Sequence, residues 1–457
     1  MPIRKNLLAI LMVLLTSMAM AQSGTQSPYS SSGLGELKFT GFAQHRANGG
    51  ASRAQVSINN FSISNPASYA NLKFTAYDVG LDASFGKLKT ADQEAKTASG
   101  NLSYFAMAFP LNTAKPMALS FGTYQFTEVG YEIKNRINTD TPSYYNLFRG
   151  NGGLNKVYAG YAVSPAKNWN IGMNAALIFG NIQSLSAKVY PNTNAKFSFS
   201  DETYTAYSGF DFDFGTQYSV LNNVHIKQKV KGDTTGLKKT KKVTLKHTFA
   251  ATFNTHSSLN GDGYRYAETF VGPLFEKGTL VNIDTLIFDD NKKSTAIKPS
   301  GFGVAYSLTN GEKWGITAEM EQNQWSGVTN LANANNPFFD NVRYSVGVNI
   351  IPNTRYEDEK GYFKKVRYSA GFKSEKLYYN FFGEQINEIG ISFGLGLPVI
   401  KSIRIEEEKL PVVSRVNITA EYLKRGTTEN GLIQENYFNI ILGLNLNDKW
   451  FTKRKYR

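Results

Sequence analysis

The sequence predicts an all-β protein, a 14-stranded antiparallel transmembrane β-barrel, on three observations. Aromatic residues make up 13% of the 457 residues and charged residues only 19%, a combination typical of barrels with aromatic girdles. After residue 21 no apolar run approaches the length of a membrane helix, so only strands could cross a membrane. From residue 75 onward, apolar residues alternate with small or polar residues at period two.

The composition excludes several function classes. Because the chain has no Cys, it has no disulfide, no Cys-ligated zinc or iron–sulfur cluster and no thiol nucleophile. Four His leave little room for a His-rich metal site, and we expect no cofactor. A mean hydropathy of −0.33 excludes a bundle of membrane helices.

Residues 1–21 have the features of a secretory signal peptide. Arg4 and Lys5 precede the apolar stretch 7–15, which is too short to span a bilayer comfortably. Residues 19–21, Ala-Met-Ala, form a small-x-small cleavage site. We therefore expect export, with an uncleaved N-terminal membrane anchor as the alternative.

Residues 22–74 differ in composition from the rest of the chain. They are rich in Ser, Gly, Asn and Ala and lack sustained alternation, although Asn65-Pro66-Ala67 follows a short apolar-alternating stretch. We predict a compact irregular segment here. The barrel then extends from 75 to 457 and ends in a short periplasmic tail.

Individual segments show the barrel pattern clearly. Between residues 77 and 85 the apolar side chains alternate with Asp78, Gly80 and Asp82, which gives one face for lipid and one for the lumen. Similar segments give about 14 strands, most of them long enough for tilted membrane strands. They are predicted near residues 77–86, 101–111, 117–133, 154–164, 169–187, 202–219, 243–256, 300–308, 313–326, 340–350, 362–374, 384–398, 412–424 and 434–446.

The connections between these strands alternate in length. Short turns are typical of the periplasmic end of a barrel and long loops of the outer end. On this basis both chain ends are periplasmic, and loop 257–299, which has room for its own hairpin, is outside. The inner connections 220–242, 351–361 and 399–411 are exceptions because they are long.

Charged residues at inward positions divide by sign along the chain. Candidate lumen acids lie on earlier strands: Asp78, Asp82, Asp211, Asp213, Glu319 and Glu321. Candidate lumen bases lie on later strands: Arg343, Lys365, Arg367, Lys373 and Arg415. One interpretation is a polarised lumen that grips a substrate headgroup. We favour the other, a salt-bridge network that holds a plug and the wall together, because small barrels neutralise lumen charges in this way.

The third predicted strand changes its apolar parity twice. Its apolar residues are odd-numbered, then even, then odd again: Leu119, Phe121, Tyr124, Phe126, Val129, Tyr131 and Ile133. A parity change needs a bulge or kink, and Gly122 and Gly130 lie beside the two breaks, where a kink is sterically easy. We predict a gap in the wall that opens sideways to lipid; an ordinary bulge with intact pairing is the alternative.

Motifs for catalysis or nucleic-acid binding do not occur. There is no G-x-S-x-G, Walker or H-E-x-x-H sequence, and Gly301-Phe302-Gly303 is a lone G-x-G on a strand. The tract 227–246 holds eight Lys but no aromatic residue, so we expect no nucleic-acid partner. We expect no enzyme; a Ser–His hydrolase with His247 or His256 as base is the remaining alternative.

Several stretches, taken in order, resemble the FadL-type outer-membrane transporter family of long-chain fatty acids and other hydrophobic compounds. The likeness is to the divergent branch from the Bacteroidota. The stretches are Ser27-Pro28-Tyr29, Gly33-Leu34-Gly35, Asn65-Pro66-Ala67-Ser68-Tyr69, Gly152-Gly153-Leu154-Asn155-Lys156-Val157-Tyr158, Glu435-Asn436-Tyr437-Phe438, Leu446-Asn447-Asp448-Lys449-Trp450-Phe451 and Lys453-Arg454-Lys455-Tyr456.

The resemblance implies that residues 22–74 form a hatch that plugs the lumen, with Asn65, Pro66 and Ala67 as its motif. It also implies a monomeric passive transporter in the outer membrane of a Gram-negative bacterium, in contact with outer-membrane lipid. Its ligands would be hydrophobic or amphipathic small molecules such as long-chain fatty acids, and a side opening is a feature of the family. Stretch 48–52 is poorer in Gly than the family pattern, and Arg457 is not the aromatic residue that ends many barrels.

Two alternatives to transport stay open. The first is an outer-membrane interaction or carrier protein of a secretion system. The second is a structural barrel whose lumen is permanently sealed.

Overall fold

The computed structural model describes residues 25–38, 41–112, 115–138, 142–191, 196–229, 238–271, 281–328, 337–356, 361–405 and 408–449. Its strands, in chain order, are β1 Glu36–Leu37, β2 Thr75–Lys89, β3 Glu94–Asn112, β4 Met117–Ile137, β5 Tyr144–Ala166, β6 Trp169–Val189, β7 Ser198–Lys229, β8 Lys238–Asn254, β9 Ser257–Val271, β10 Val281–Lys298, β11 Gly301–Asn310, β12 Trp314–Asn323, β13 Asn341–Ile350, β14 Arg367–Phe381, β15 Glu384–Ile405, β16 Glu408–Arg425 and β17 Gln434–Asp448.

Strands β2 to β17 form one closed antiparallel wall, because β17 pairs with β2. Two wall strands are interrupted. Strands β8 and β9 pair one after the other with the same strand, β7. Asn254 of β8 pairs with Asp213 of β7, and Asn260 of β9 pairs with Ser208 of β7. Strand β11 likewise continues β10. The sixteen segments therefore make 14 wall strands, which confirms the predicted fold class.

Several strands are longer than predicted. Loop 257–299 contains the hairpin of β9 and β10. The hairpin extends the wall at the end of the barrel that the sequence predicts to lie outside; this end is called the outer end below, and the opposite end the inner end. The predicted ends at 219 and 398 are too early, because the backbone ladders of β7–β8 and β15–β16 continue to residues 229 and 405. The predicted start of a strand at 362 is also wrong, since Tyr362–Lys365 forms a 3-10 turn and β14 begins at Arg367.

The outside of the wall carries an apolar belt. On β6, for example, Ile171, Met173, Leu177 and Phe179 are 38–41% exposed, whereas Asn174 on the opposite face is buried. An apolar outer face with a polar inner face is the arrangement that a lipid-embedded barrel requires. Among the residues that the structure describes, no helix is long and apolar enough to cross a membrane.

Residues 25–74 without 39–40, called the N-terminal segment below, lie inside the wall. They form two 3-10 turns, Pro28–Ser31 and Pro66–Asn71, a one-turn helix, Ala43–Arg46, and the short strand β1. Most of the segment is buried. It contacts wall strands on opposite sides of the barrel, so it crosses the interior.

Candidate functional site in the interior and the wall

The Asn65-Pro66-Ala67 motif packs directly onto the wall. The Asn65 side chain accepts a hydrogen bond from the backbone N–H of Ala67 at 3.0 Å and donates to the carbonyl of Arg53 at 2.8 Å. A Cβ at Gly215 of β7 would lie 2.1 Å from Oδ1 of Asn65, and one at Gly172 of β6 would lie 2.6 Å from the backbone of Pro66. The motif therefore has its position only because both wall residues lack a side chain.

The helix Ala43–Arg46 packs against the opposite side of the barrel. Beside it, a Cβ at Gly371 of β14 would lie 1.9 Å from the backbone nitrogen of Gly49, so this contact is backbone against backbone. His45 is 2% exposed, and burial together with the charge of Arg367 lowers its pKa to about 3. The imidazole is therefore neutral at pH 7.

Two arginines of the segment pair with wall acids. Arg46 pairs with Asp82 and, at 2.5 Å, with Glu421. Arg53 pairs with Glu319 and, at 2.9 Å, with Glu321.

The backbone of the segment also binds these acids. The N–H groups of Ser52 and Arg53 both donate to Glu319 at 2.9 Å. These contacts favour the salt-bridge interpretation of the lumen charges, because they join the segment to the wall.

Other predicted lumen acids have partners within the wall. Asp211 is fully buried, pairs with Lys156, and lies 3.0 Å from Nζ of Lys298. Asp213 is also buried close by. Among the described residues Asp78 has no cationic partner; it accepts hydrogen bonds at 2.8–3.0 Å from the side chains of Tyr104 and Asn445 of the wall and of Gln44 of the N-terminal segment.

The predicted bases divide into two groups. Arg343 and Lys373 pair with wall carboxylates in the outer half of the barrel, Arg343 with Glu321 and Lys373 with Glu388 at 2.9 Å. Lys365, Arg367 and Arg415 lie near the inner end, away from that network.

Sequence reasoning missed several charged residues of the interior. Arg425 pairs with Glu36 at 2.6 Å, with Glu388 at 2.7 Å and with Glu435 at 3.3 Å. Arg46 and Arg53 were missed because they lie outside the strands. One signal could have found them, since they are the only two Arg in the otherwise small and polar stretch 22–74.

The wall is incomplete between β3 and β4. Their pairing runs from Asn112 with Met117 only as far as Tyr104 with Tyr124. Beyond that point β3 continues along β2 to Glu94, and β4 continues along β5 to Ile137. Residues 94–103 of β3 and 125–137 of β4 therefore separate, and we call the space between them the split.

The split coincides with an irregularity in β4. Gln125 pairs with Asn155 and Thr127 with Leu154, so Phe126 is an extra residue in the ladder. The extra residue lies between Gly122 and Gly130, neither of which has positive φ. Gly130 instead allows close approach of the segment, because a Cβ there would lie 2.1 Å from the carbonyl oxygen of Thr25.

The N-terminal segment covers one side of the split. Strand β1 pairs with β4 through Leu37 with Thr127, and the N–H of Lys38 donates to Phe126 at 3.0 Å. On the other side, residues 94–103 of β3 have no strand partner toward β4 among the described residues. The side-chain amide of Asn101 donates across the split to Gln125.

The split lies at the level of the apolar belt. Ala98 of β3 pairs with Phe85, which in turn pairs with Phe438, and both Phe side chains are nearly half exposed on the outer face. Leu102, next to the split, is 59% exposed. The split therefore opens on the apolar face of the wall.

A cavity of about 180 Å³ lies on the inside of the split, large enough for more than a single water molecule. Residues 99–101 of β3, Tyr124 and Phe126 of β4, and Leu37 of the segment line it next to the split. Farther in, its lining includes eight basic and six acidic side chains. Beside the split the lining thus mixes small and polar side chains with aromatic and apolar ones, and toward the centre it is charged.

An aromatic cluster lines this cavity toward the outer end. The Trp325 ring stacks on Tyr378 with a centroid distance of 4.1 Å. The Tyr29 hydroxyl of the segment donates to the carbonyl of Ile433 at 2.6 Å, which connects the segment to the β16–β17 loop.

No arrangement for catalysis accompanies the two His that the sequence singled out. Nδ1 of His247 shares a hydrogen bond of 2.7 Å with the Tyr306 hydroxyl on the outer face, and His256 is exposed. Among the described residues, no group of His, Asp and Glu is placed to hold a metal ion.

The closed wall of 14 strands, its apolar belt and the segment that crosses its interior define a transmembrane β-barrel of the outer-membrane type. The sequence matches the family model described as BamG over residues 3–457, so the chain belongs to the BamG family. No curated protein matches the sequence.

Solved structures share the fold at low sequence identity. The toluene transporter TodX from P. putida superposes with a TM-score of 0.57 at 13% identity, over 92% of this chain and 99% of that one. A FadL homologue from Pseudomonas aeruginosa superposes with a TM-score of 0.54 at 9% identity, over 91% of this chain and 100% of that one. The first of these neighbours is a toluene transporter and the second is a homologue of FadL. At this low identity the likeness shows the fold.

Proposed function

We propose that this protein is a passive channel in the outer membrane of a Gram-negative bacterium, through which small hydrophobic or amphipathic molecules move between the interior cavity and the lipid. It acts without a cofactor or a chemical step, as a monomer. The observation that carries the proposal is the split between β3 and β4, which connects the cavity to the apolar belt. The fold shared with TodX and a FadL homologue is consistent with this role.

The polarity of the route selects the ligand. An apolar molecule leaves the split for lipid without crossing water, because Leu102 and Phe105 flank it on the exposed face. Charged side chains line the centre of the cavity, so a purely apolar molecule would not satisfy them. We therefore propose ligands with an apolar body and a polar or charged end, such as long-chain fatty acids.

The N-terminal segment acts as the hatch in this proposal. Its buried ion pairs with Asp82, Glu319 and Glu421 hold it across the interior. Its strand β1 leaves the β3 edge of the split uncovered. The segment therefore blocks water flow along the barrel axis while the route to lipid stays open.

Cross-linking the split tests the proposal. The variant Asn101→Cys with Gln125→Cys places two thiols on opposite sides of it in a chain that has no other Cys. A short bismaleimide added to cells should join them and reduce uptake of a fluorescent long-chain fatty acid to the level of cells that lack the barrel. Uptake is compared at equal amounts of folded protein.

The matched control is Thr90→Cys with Gln93→Cys, two residues joined by a 2.9 Å backbone hydrogen bond in the β2–β3 turn. Cross-linking this pair should leave uptake unchanged, because it does not bridge the split. If the Asn101–Gln125 cross-link forms and uptake persists, the split is not the route. If uptake is absent even without the cross-link, the sealed-barrel alternative is favoured.

An observation on the outer side favours interaction with another protein as a second candidate function. Ile283, Leu286, Ile287 and Phe288 of β10 are 36–68% exposed, beyond the ends of the neighbouring wall strands β12 and β13. No described strand pairs with this part of β10 on the side away from β9. Exposed apolar groups beside an unpaired strand edge are typical of docking surfaces.

The two candidate functions respond to different substitutions. Leu286→Ser with Phe288→Ser should leave fatty-acid uptake unchanged if the protein is only a channel. If the outer hairpin binds a partner, the same variant should lose a larger assembly that the wild type forms in native gels of membrane extracts.

A further inference from the structure

A half-buried arginine, Arg367, and a buried one, Arg415, face each other at the inner end of the barrel, where neither lines the cavity described above. Arg367 is the first residue of β14 and pairs with Gly396 of β15, while Arg415 of β16 pairs with Pro398, two residues farther along β15. A Cβ at Gly396 would lie 3.1 Å from Cβ of Arg367 and 3.3 Å from Cδ of Arg415. The missing side chain of Gly396 thus brings the two arginines together.

The charge of this pair is poorly compensated. Nη2 of Arg415 lies 3.6 Å from a carboxylate oxygen of Glu312 and donates to the Tyr356 hydroxyl at 2.6 Å. Arg367 forms no ion pair within the described residues. Among those residues the two arginines therefore share one partly exposed carboxylate, that of Glu312.

Both guanidinium groups also keep an unused donor. Among the described residues, the buried Nε atoms of Arg367 and Arg415 have no hydrogen-bond partner. The Nε atom of Arg46 is also without a partner there, but the charges of Arg46, Arg53 and Arg425 are compensated, since each pairs with two or more carboxylates. A buried guanidinium with an empty donor costs free energy unless a ligand fills it.

We infer that Arg367 and Arg415 form a binding site for an oxyanion, a carboxylate or a phosphate group. The guanidinium fork matches either group, and the two forks lie on β14 and β16, on either side of β15, so that they supply donors from two sides. The site lies on the side of the N-terminal segment away from the cavity, and it does not depend on the proposed transport.

Thermal unfolding of the full chain in an uncharged detergent tests this inference. The wild type is heated in chloride, phosphate, acetate or decanoate at one pH and one ionic strength. Phosphate or a carboxylate should raise the unfolding temperature in a saturable way that chloride does not reproduce, because a ligand of the folded state stabilises it. Stabilisation by phosphate alone identifies free phosphate as the ligand, whereas decanoate acting at a far lower concentration than acetate identifies an amphiphile carboxylate.

Arg367→Gln and Arg415→Gln should each weaken this effect about tenfold or more, as the loss of a charged hydrogen bond does. Arg149→Gln, which removes an exposed arginine paired with Glu132, is the matched control and should keep the full effect. Without added anion, Arg367→Gln should unfold no earlier than the wild type because it relieves repulsion, whereas a purely structural arginine would lower the unfolding temperature.

Two results would overturn the inference. One is a wild type that no anion stabilises beyond chloride, as would occur if the acidic residues 357–359, which lie outside the described residues, already occupy the arginines. The other is equal stabilisation of the wild type and Arg367→Gln, which would place the anion elsewhere.

Discussion

The wall between β15 and β16 and the wall between β3 and β4 use strands of similar length but are paired to different extents. β15 and β16, with 22 and 18 residues, form eighteen consecutive residue pairs without a register shift. β3 and β4, with 19 and 21 residues, form only eight. Strand length therefore does not decide where a barrel closes.

Two local features account for the difference. Phe126 is an extra residue in β4, so the strand beyond it turns away from β3. The N-terminal segment then occupies the freed edge through β1. Against β15 and β16 the same segment packs by side chains and backbone contacts, without entering the ladder. The comparison shows that an insertion into one strand, followed by occupation of its edge, opens an otherwise regular wall.

The largest expected effect follows from removal of residues 22–74. The barrel should still assemble, because the 14 wall strands lie after residue 74, but it should conduct small polar solutes since the interior fills with water. Conductance in a planar bilayer measures this, with heat-dependent gel mobility as the check of folding. Conductance equal to that of the full chain would mean that the segment does not plug the barrel.

Arg53 lies on the side of the barrel opposite the split, and Arg53→Met should destabilise the protein strongly. It leaves Glu319 without its close arginine partner, while Glu321 keeps Arg343, and breaking a buried pair costs about 3–5 kcal/mol. Arg149→Met, which breaks the exposed pair with Glu132, should change the free energy of unfolding by less than about 0.5 kcal/mol. Denaturant unfolding in detergent compares the two, and equal effects would contradict the anchoring role of Arg53.

Deleting Phe126 should make the β3–β4 wall more like the β15–β16 wall. The deletion keeps the pairing of Gln125 with Asn155 and Thr127 with Leu154 but removes the extra residue. We expect lower fatty-acid uptake at unchanged or higher stability. The control Phe126→Leu keeps the bulge and should keep uptake. Undiminished uptake in the deletion variant would show that the bulge is not required for the route.

A pH effect should appear at the buried imidazole of His45. Its pKa is lowered to about 3 in the folded protein, so the unfolded state binds the proton more readily. The stability of the docked segment should therefore fall as the pH drops below about 6.5, before most carboxylates titrate. Protease sensitivity of the segment between pH 7.5 and 5 measures this. His45→Gln should flatten the dependence, and an unchanged slope would assign it to other groups.

The smallest expected effect is that of a single cysteine substitution, which reports the orientation of the barrel, and with it of the split, in the membrane. Asn291 is exposed on the outer hairpin, so Asn291→Cys should react with a membrane-impermeant thiol reagent on whole cells. The wild type, which has no Cys, is the control. Labelling only after lysis would reverse the orientation and place the wide end of the split toward the periplasm.

Much of the wall could be predicted because one signal, period-two alternation, repeats in nearly every strand. It located β6 and β17 to within about two residues at each end, since lipid on one side and a polar interior on the other impose the pattern. It failed where a strand leaves the belt, as in β7 beyond Ser219 and in the β9–β10 hairpin. There both faces meet water, and the alternation has no physical cause.

The interior could be predicted only in part. Asp211, Glu319 and Arg343 follow from strand parity, but their partners Lys298 and Arg53 come from positions that no period marks. The sequence placed an irregularity in the third wall strand near Gly122 and Gly130. It could not show that the extra residue is Phe126, because that depends on which residues of β5 lie opposite.

The sequence by itself determined the number of wall strands, the lipid-facing side chains and the irregular character of residues 22–74, because local alternation is enough to define them. Only the tertiary structure decided which acids and bases pair, where β3 and β4 separate, and that Arg367 and Arg415 face each other across Gly396. These features depend on contacts between residues far apart in the chain, such as Arg46 with Glu421, and their positions are set by closure of the barrel around the segment.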